Sequence, residues 1–166
     1  MSLSKNRVGR IVLILMIVLV NIGCDQQTKI IAEQRLEYRE VTPYMNDFFR
    51  LILVENKGAF LSFGSDLPAP MSLIFLKIFP SLVLLGLGAF LLFSRGLSMG
   101  QTIAFSFVLG GGISNIYDRI FNDGAVVDFM NFGIGNLRTG IFNFADVSIM
   151  IGLFVLLFTY FQKPDS

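Results

Sequence analysis

Residues 71–93 read MSLIFLKIFPSLVLLGLGAFLLF, an apolar run carrying a single charge, Lys77, and a single proline, Pro80. A helix needs ~20 mostly apolar residues to cross the hydrocarbon layer, so this run is long enough to span it. Working outward, comparable windows lie at about 8–32, 101–121 and 141–161. The chain is 54% hydrophobic with 18 Phe and only 15% charge, a composition of membrane proteins rather than soluble domains. The expected fold is an all-α membrane protein with four transmembrane helices, one integral-membrane domain over 1–166. Only SRGLSMG (94–100) separates the second and third windows, so they form a tight antiparallel hairpin with Gly96 and Gly100 at the chain reversal. Pro80 is expected to kink the second helix. The glycines of GGGISN (110–115) are expected to let neighbouring helices approach the third closely.

Charge placement orients this arrangement. Lys5, Arg7, Arg10, Arg95 and Lys163 all fall on one side of a four-span arrangement, which puts both termini in the cytoplasm. Every acidic residue except Asp165 then lies toward the other face, in or beside the connections at about 33–70 and 122–140. The first connection contains FFRLILVEN (48–56) and the second GAVVDFMNFG (124–133), both rich in β-formers. They predict a small extracytoplasmic β platform lying on the membrane, with Phe129 and Phe132 able to dip into the interface. A basic start followed by an apolar run ending in NIGCD (21–25) resembles a lipoprotein signal peptide with Cys24 as its lipidated residue. Asn21 stands where an aliphatic residue is expected and three more apolar windows follow, so the segment reads as an uncleaved first helix.

The uncharged stretch 11–24 is too short to span alone, so the first helix must carry Asp25 and Lys29 into its last turns. At i,i+4 they share a face and can pair, either as an interfacial anchor or as part of a site. In GGGISNIYDRI, Asn115 and Arg119 share a face with Asp118 nearby, an amide beside an ion pair; Arg119 could clamp a carboxylate or carbonyl, or simply snorkel. In FNFADVSIM, Asn143 and Asp146 lie in the first turns of the fourth helix, Asn143 a credible N-cap. Polar groups from three helices thus gather at one end. Asp128, on the extended VVDF segment, can fold back over that end and meet Asp146.

The chain has no histidine and one cysteine. That excludes Ser/His/Asp and Cys/His nucleophile schemes, HExxH zinc sites and metal clusters of cysteine. A net charge of +1 argues against a nucleic-acid surface. Paired carboxylates remain as acid/base machinery: one ionised to deprotonate a water, one protonated to donate to a scissile carbonyl. Two other classes fit less well. A proton-coupled transporter would place its acids near the bilayer midplane rather than at one edge, and a Ser/Lys protease would need Lys29, Lys57 or Lys77 desolvated as base.

Taken in order, DQQTK (25–29), NKGAFLSF (56–63), GGGISNIYDR (110–119), VVDFMNF (126–132) and FNFADVSI (142–149) resemble the lipoprotein signal peptidases, or signal peptidase II, across essentially the whole chain. The resemblance implies a membrane aspartyl protease that cleaves prolipoproteins just before their diacylglyceryl-modified cysteine. It implies Asp128 and Asp146 as the catalytic pair and Asp25 and Lys29 as stabilisers of the first helix's outer end. Asn56 and Gly58 would line the substrate groove; Asn115, Asp118, Arg119, Asn143 and Ala145 would shape the active site. Prolipoprotein, membrane lipid and a globomycin-type cyclic peptide are the implied partners, with no cofactor and no metal. A monomer in the bacterial cytoplasmic (inner) membrane, active at its extracytoplasmic face, is expected. The chain departs from the usual family pattern at Phe60, which is expected to reshape the groove, and at Ser114.

Overall fold

The computed structural model describes residues 7–58 and 64–161. They form, in order, α1 (Arg7–Arg35), β1 (Thr42–Tyr44), β2 (Phe49–Asn56), α2 (Ala69–Ser72), a π-helical segment (Leu73–Ile78), α3 (Phe79–Phe93), α4 (Met99–Phe121), β3 (Val126–Ile134), β4 (Leu137–Arg138) and α5 (Phe144–Phe161). The protein is mostly helical, with one small antiparallel sheet in the order β1-β2-β3-β4. Among the described residues two helical stretches, Arg7–Arg35 and Ala69–Phe93, are long and apolar enough to cross a membrane, and Phe144–Thr159 is a shorter apolar helix. Lys5, Phe60, Lys163 and Asp165 lie outside the described residues.

One face of α1 is buried. Arg10, Ile14, Val18, Asn21, Asp25, Lys29 and Ala32 recur every three or four residues, the stripe of a helix packed along one side. Val12, Leu15, Met16 and Leu19 lie exposed on the remaining surface. The buried stripe is apolar in its middle and polar beyond Val18, so the change in chemistry along one helix already marks where the site lies. Near the opposite end, Arg10 Nη2 donates to the Leu92 carbonyl at 3.3 Å, tying the start of α1 to the end of α3.

Helix α4 sits at the centre, packed against α1, α3 and α5. Its three consecutive glycines each meet a different neighbour. A Cβ at Gly110 would lie 2.9 Å from Asn21 Cβ of α1, one at Gly111 would run into the Ala145 carbonyl oxygen of α5, and one at Gly112 would strike Leu84 of α3. Small residues let membrane helices pack backbone to backbone, and here the triplet sets three spacings at once. Gly111→Ala is therefore expected to cost about 1–3 kcal/mol through overpacking. Gly23→Ala, where an added Cβ meets nothing within 4 Å, is the matched control. Thermal unfolding in detergent should show a lowered midpoint for the first and none for the second.

Two details differ from expectation, and one irregularity accompanies Pro80. The irregularity in the second helix is the π-helical segment just before Pro80; a proline removes a backbone donor and crowds the preceding turn, and the extra residue per turn accommodates both. Gly100 does not reverse the chain but lies inside α4. Ser98 ends the turn instead, with its hydroxyl accepting from Gln101 N–H at 3.1 Å while the Gln101 side chain accepts from Ser98 N–H at 3.0 Å. The last helix begins at Phe144 rather than 141, because Phe142 bridges to Met130 of β3.

That bridge fastens the sheet to the bundle. β2 pairs with β3 from Phe49↔Phe132 to Asn56↔Val126, with an irregularity between Leu51 and Val54, and the register sets Val54 opposite Asp128. Phe129 is buried and does not reach outward, whereas Phe132, between Phe49 at 4.8 Å and Phe142 at 5.8 Å, packs on the sheet and still keeps an exposed edge. The apolar side chains that project furthest from the sheet are Met45, Ile134 and Leu137, at the tip of the two hairpins. Arg50 grips the Asp47 carboxylate through two contacts of 2.6 Å, and Arg138 Nη1 donates to the Asp47 carbonyl at 2.9 Å, fixing the β1–β2 turn.

Candidate active site

The start of α5 is the pivot. Asn143 precedes the helix, and its side-chain oxygen accepts from the Asp146 N–H at 3.0 Å while Asp146 Oδ2 accepts from the Asn143 N–H at 3.1 Å. This reciprocal cap satisfies two helix-end donors and fixes the Asp146 rotamer. The Asn143 amide nitrogen also donates to Asp128 Oδ1 at 2.7 Å. One buried asparagine therefore holds both aspartates, one by its backbone and the other by its side chain. The remaining oxygens are held too: Asn56 Nδ2 donates to Asp128 Oδ2 at 3.0 Å, and Asn115 Nδ2 to Asp146 Oδ1 at 3.0 Å.

Beneath this layer lies a second set of charges. Lys29 Nζ is 2.6 Å from Asp25 Oδ2 and 2.7 Å from Asp118 Oδ2, and donates to Asn115 Oδ1 at 3.2 Å. Relative exposures of 0% for Asp25, 3% for Lys29 and 1% for Asp118 rule out an interfacial anchor; the group is internal. Asp25 Oδ1 accepts the Ala145 N–H at 2.8 Å, so a carboxylate of α1 caps the first turn of α5. Asp25 Oδ2 also accepts from Ser114 Oγ at 2.7 Å, and Asp118 accepts from Gln26 Nε2 at 2.8 Å and from the Val127 N–H at 3.3 Å. The chain of contacts runs from α1 through α4 to both β3 and α5, the elements that carry the two aspartates.

Arg119 does not pair with Asp118, which is committed to Lys29. It donates to the Gly58 carbonyl at 2.8 Å and to its own helix at the Asn115 carbonyl, clamping the segment after β2. Gly58 N–H in turn donates to Asn56 Oδ1 at 3.0 Å, which orients the Asn56 amide toward Asp128. All the residues expected to surround Asp128 and Asp146 thus converge there. Gln26 is a contributor with no signal in the sequence: it adjoins Asp25, but only the register of α1 against α4 brings it to Ser114 and Asp118. Ser114, noticed only as a departure from pattern, links Gln26 to Asp25.

Among the described residues, a pocket and a groove each reach one of the pair. On the sheet side a pocket of about 330 Å³ is lined by Arg39, Val54, Glu55, Asn56, Asp128, Gly140 and Ile141. On the helix side a mainly apolar groove of about 380 Å³ reaches Asp146 and Arg119 between Phe75, Phe79 and Val83 on one wall and Ile149 on the other. Burial, reinforced by the nearby Asp146 charge, pushes the Asp128 carboxyl up to about 7, against hydrogen bonds from Asn56 and Asn143 that favour its charged form. Asp128 therefore changes protonation near neutral pH. Among the described residues no group of Cys, Asp and Glu is arranged to hold a metal ion.

Fold and site together define a helical membrane protein with a buried two-carboxylate centre under a small sheet. A solved bacterial membrane enzyme, determined in meso at 2.3 Å, shares this fold with a TM-score of 0.77 at 24% identity over 92% of each chain. A second such structure, at 1.9 Å, gives 0.75 at 25% identity over 91% of this chain and 94% of that one. Residues 17–162 match the sequence pattern of signal peptidase (SPase) II, and the chain belongs to that family. Among its relatives, the lipoprotein signal peptidase of Borrelia hermsii is 31% identical over 100% of this chain and 98% of its own length. That of Treponema denticola is 39% identical over 80% of this chain and 81% of its own.

Proposed function

We propose that this protein is a membrane aspartyl endopeptidase that removes the signal peptide of a prolipoprotein immediately before its diacylglyceryl-modified cysteine. The observation that carries this reading is the shared grip of Asn143 on Asp128 and Asp146, where a polar pocket meets an apolar groove. In this mechanism Asp146 takes a proton from water as that water attacks the scissile carbonyl. Asp128, which keeps its proton near neutrality, donates it to the developing oxyanion; as the tetrahedral intermediate collapses and the C–N bond breaks, Asp146 passes its newly gained proton to the leaving amine of the cysteine and Asp128 takes its own proton back from the re-forming carbonyl. Asn56, Asn115 and Asn143 hold the carboxylates in place. Arg119 and Gly58 fix the segment beside them, and Asp25, Lys29, Asp118 and Ala145 hold the helix ends.

The bundle in this reading spans the bacterial inner membrane four times, through α1, the helix of α2 and α3, α4 and α5. Both termini are cytoplasmic and the sheet lies at the extracytoplasmic face, with Met45, Ile134 and Leu137 resting on the lipid. The groove between Phe75 and Ile149 takes the apolar part of the substrate, and the same opening would admit a globomycin-type cyclic peptide. The chain acts as a monomer.

The test is a gel-shift assay of purified protein on diacylglyceryl prolipoprotein in detergent or lipid. Release of the signal peptide is expected, and its absence with a substrate that another signal peptidase II cleaves would overturn the reading. The pH dependence has a definite sign. Asp128 must be protonated to act as the acid, and its carboxyl titrates at about 7. Activity should therefore fall as pH rises beyond that value, approaching roughly tenfold per pH unit. A rate still rising from pH 7 to pH 9 would exclude Asp128 as the acid.

A further inference from the structure

The pocket on the sheet side holds a cation that the chemistry above does not use. Arg39 lies in its wall, exposed, with its guanidinium 5.2 Å above the Tyr38 ring. It makes no ion pair and no side-chain hydrogen bond among the described residues. Its backbone is held in place: Arg39 N–H donates to the Leu53 carbonyl at 2.9 Å, beside a parallel bridge from Tyr38 to Leu53. Its φ of 63° lies in the left-handed region, where glycine is at ease and a long side chain costs energy. A cation kept at a strained position on the rim of a reaction pocket points to a use for its side chain.

The other acidic group of that wall, Glu55, is directed elsewhere. Val54 and Asn56 flank it on β2, and Asn56 bonds Asp128, so strand alternation turns Glu55 to the opposite face. Among the described residues that line the pocket, Arg39 is the one cation. The two openings differ in the same sense as the two ends of the substrate in the proposed reaction. The signal segment and acyl chains are apolar and match the groove at Asp146, while the segment after the cysteine leaves the membrane and must pass the polar side.

We propose that Arg39 is a specificity residue that favours an acidic side chain close after the lipidated cysteine. This rests on the reading of the protein as a prolipoprotein peptidase. The test uses the whole purified chain and three lipidated substrates identical except for two residues following the cysteine, which are Asp-Asp, Ser-Ser or Lys-Lys. Wild type should rank them acidic, neutral, basic, with about a three- to fivefold step in kcat/KM carried by KM, the size expected of an exposed ion pair. Arg39→Glu should reverse the order. Arg39→Gly, which suits the left-handed backbone, should bring the three rates together.

Equal rates for all three substrates with wild type would overturn the proposal. So would an Arg39→Gly protein that slows all three by one common factor in kcat, since that marks a purely structural residue. If wild type cleaves none of them, the peptidase reading fails and the proposal falls with it. Cleavage without charge preference removes only the role of Arg39.

Discussion

Asp128→Asn and Asp146→Asn should each yield a folded, membrane-inserted protein whose processing of diacylglyceryl prolipoprotein falls by about 10²–10⁴, the range of a lost general acid or base. Folding should survive because each substitution keeps the side chain's shape. Asparagine at 128 still offers one oxygen to the Asn143 or Asn56 amide, and it removes a charge that burial and Asp146 both oppose. The new amide nitrogen does face one donor it cannot accept, a mismatch worth about 1–3 kcal/mol. At 146 the oxygens meet the Asn143 N–H and the Asn115 amide, so the same argument applies. The two residues serve one proton-transfer step, and losses within such a unit are not additive. The double variant should therefore be no slower than the slower single one. Retained cleavage in either purified single variant would end the two-aspartate mechanism, and a double loss equal to the product of the two would show that they act separately.

How much of this site could be read from the chain depends on the kind of contact. The Asp25–Lys29 pair was legible because helix geometry alone sets residues four apart on one face, and they do meet at 2.6 Å. The third member, Asp118, pairs with Lys29 and not with the adjacent arginine that the sequence suggests. Its neighbour in sequence, Arg119, points to the Gly58 carbonyl, and the choice between them depends on how α1 packs against α4. The glycine triplet announced close packing without saying that each glycine serves a different helix. That Asp128 folds back toward Asp146 followed from a short extended segment between two helices. The Asn143 bridge that unites them did not, because an N-cap residue's second bonds depend on which strand lies above it. Two capping boxes are written in local sequence, at Ser98 with Gln101 and at Asn143 with Asp146, the second going beyond the plain cap expected of Asn143. Arg39 had no local signal, since the bridge of Tyr38 to Leu53 brings it to the pocket.

Lys29→Met should be strongly destabilising. The ammonium stands between two carboxylates that have essentially no solvent access, at 2.6 Å from Asp25 and 2.7 Å from Asp118. Methionine keeps the length of the side chain and removes the charge, leaving two buried anions facing each other. Removing one member of a buried ion pair typically costs about 3–5 kcal/mol, because the remaining charge keeps its desolvation penalty. Against a total stability of about 5–15 kcal/mol, that is enough to lower the folded yield sharply. Asp118→Asn supplies the comparison: it leaves Lys29 paired with Asp25, and its oxygen can still accept from Gln26 or the Val127 N–H. The expected order of melting temperature is wild type, then Asp118→Asn, then Lys29→Met. Combining the two changes should recover part of the loss, since only Asp25 then remains unpaired, and a double-mutant cycle would measure that coupling. Activity should follow the same order, because Lys29 also orients the Asn115 amide that holds Asp146. A Lys29→Met protein that melts within a degree of wild type would mean that the charges are solvated after all, as an interfacial anchor would be. The account of a buried ionic support beneath the two aspartates would then have to be abandoned.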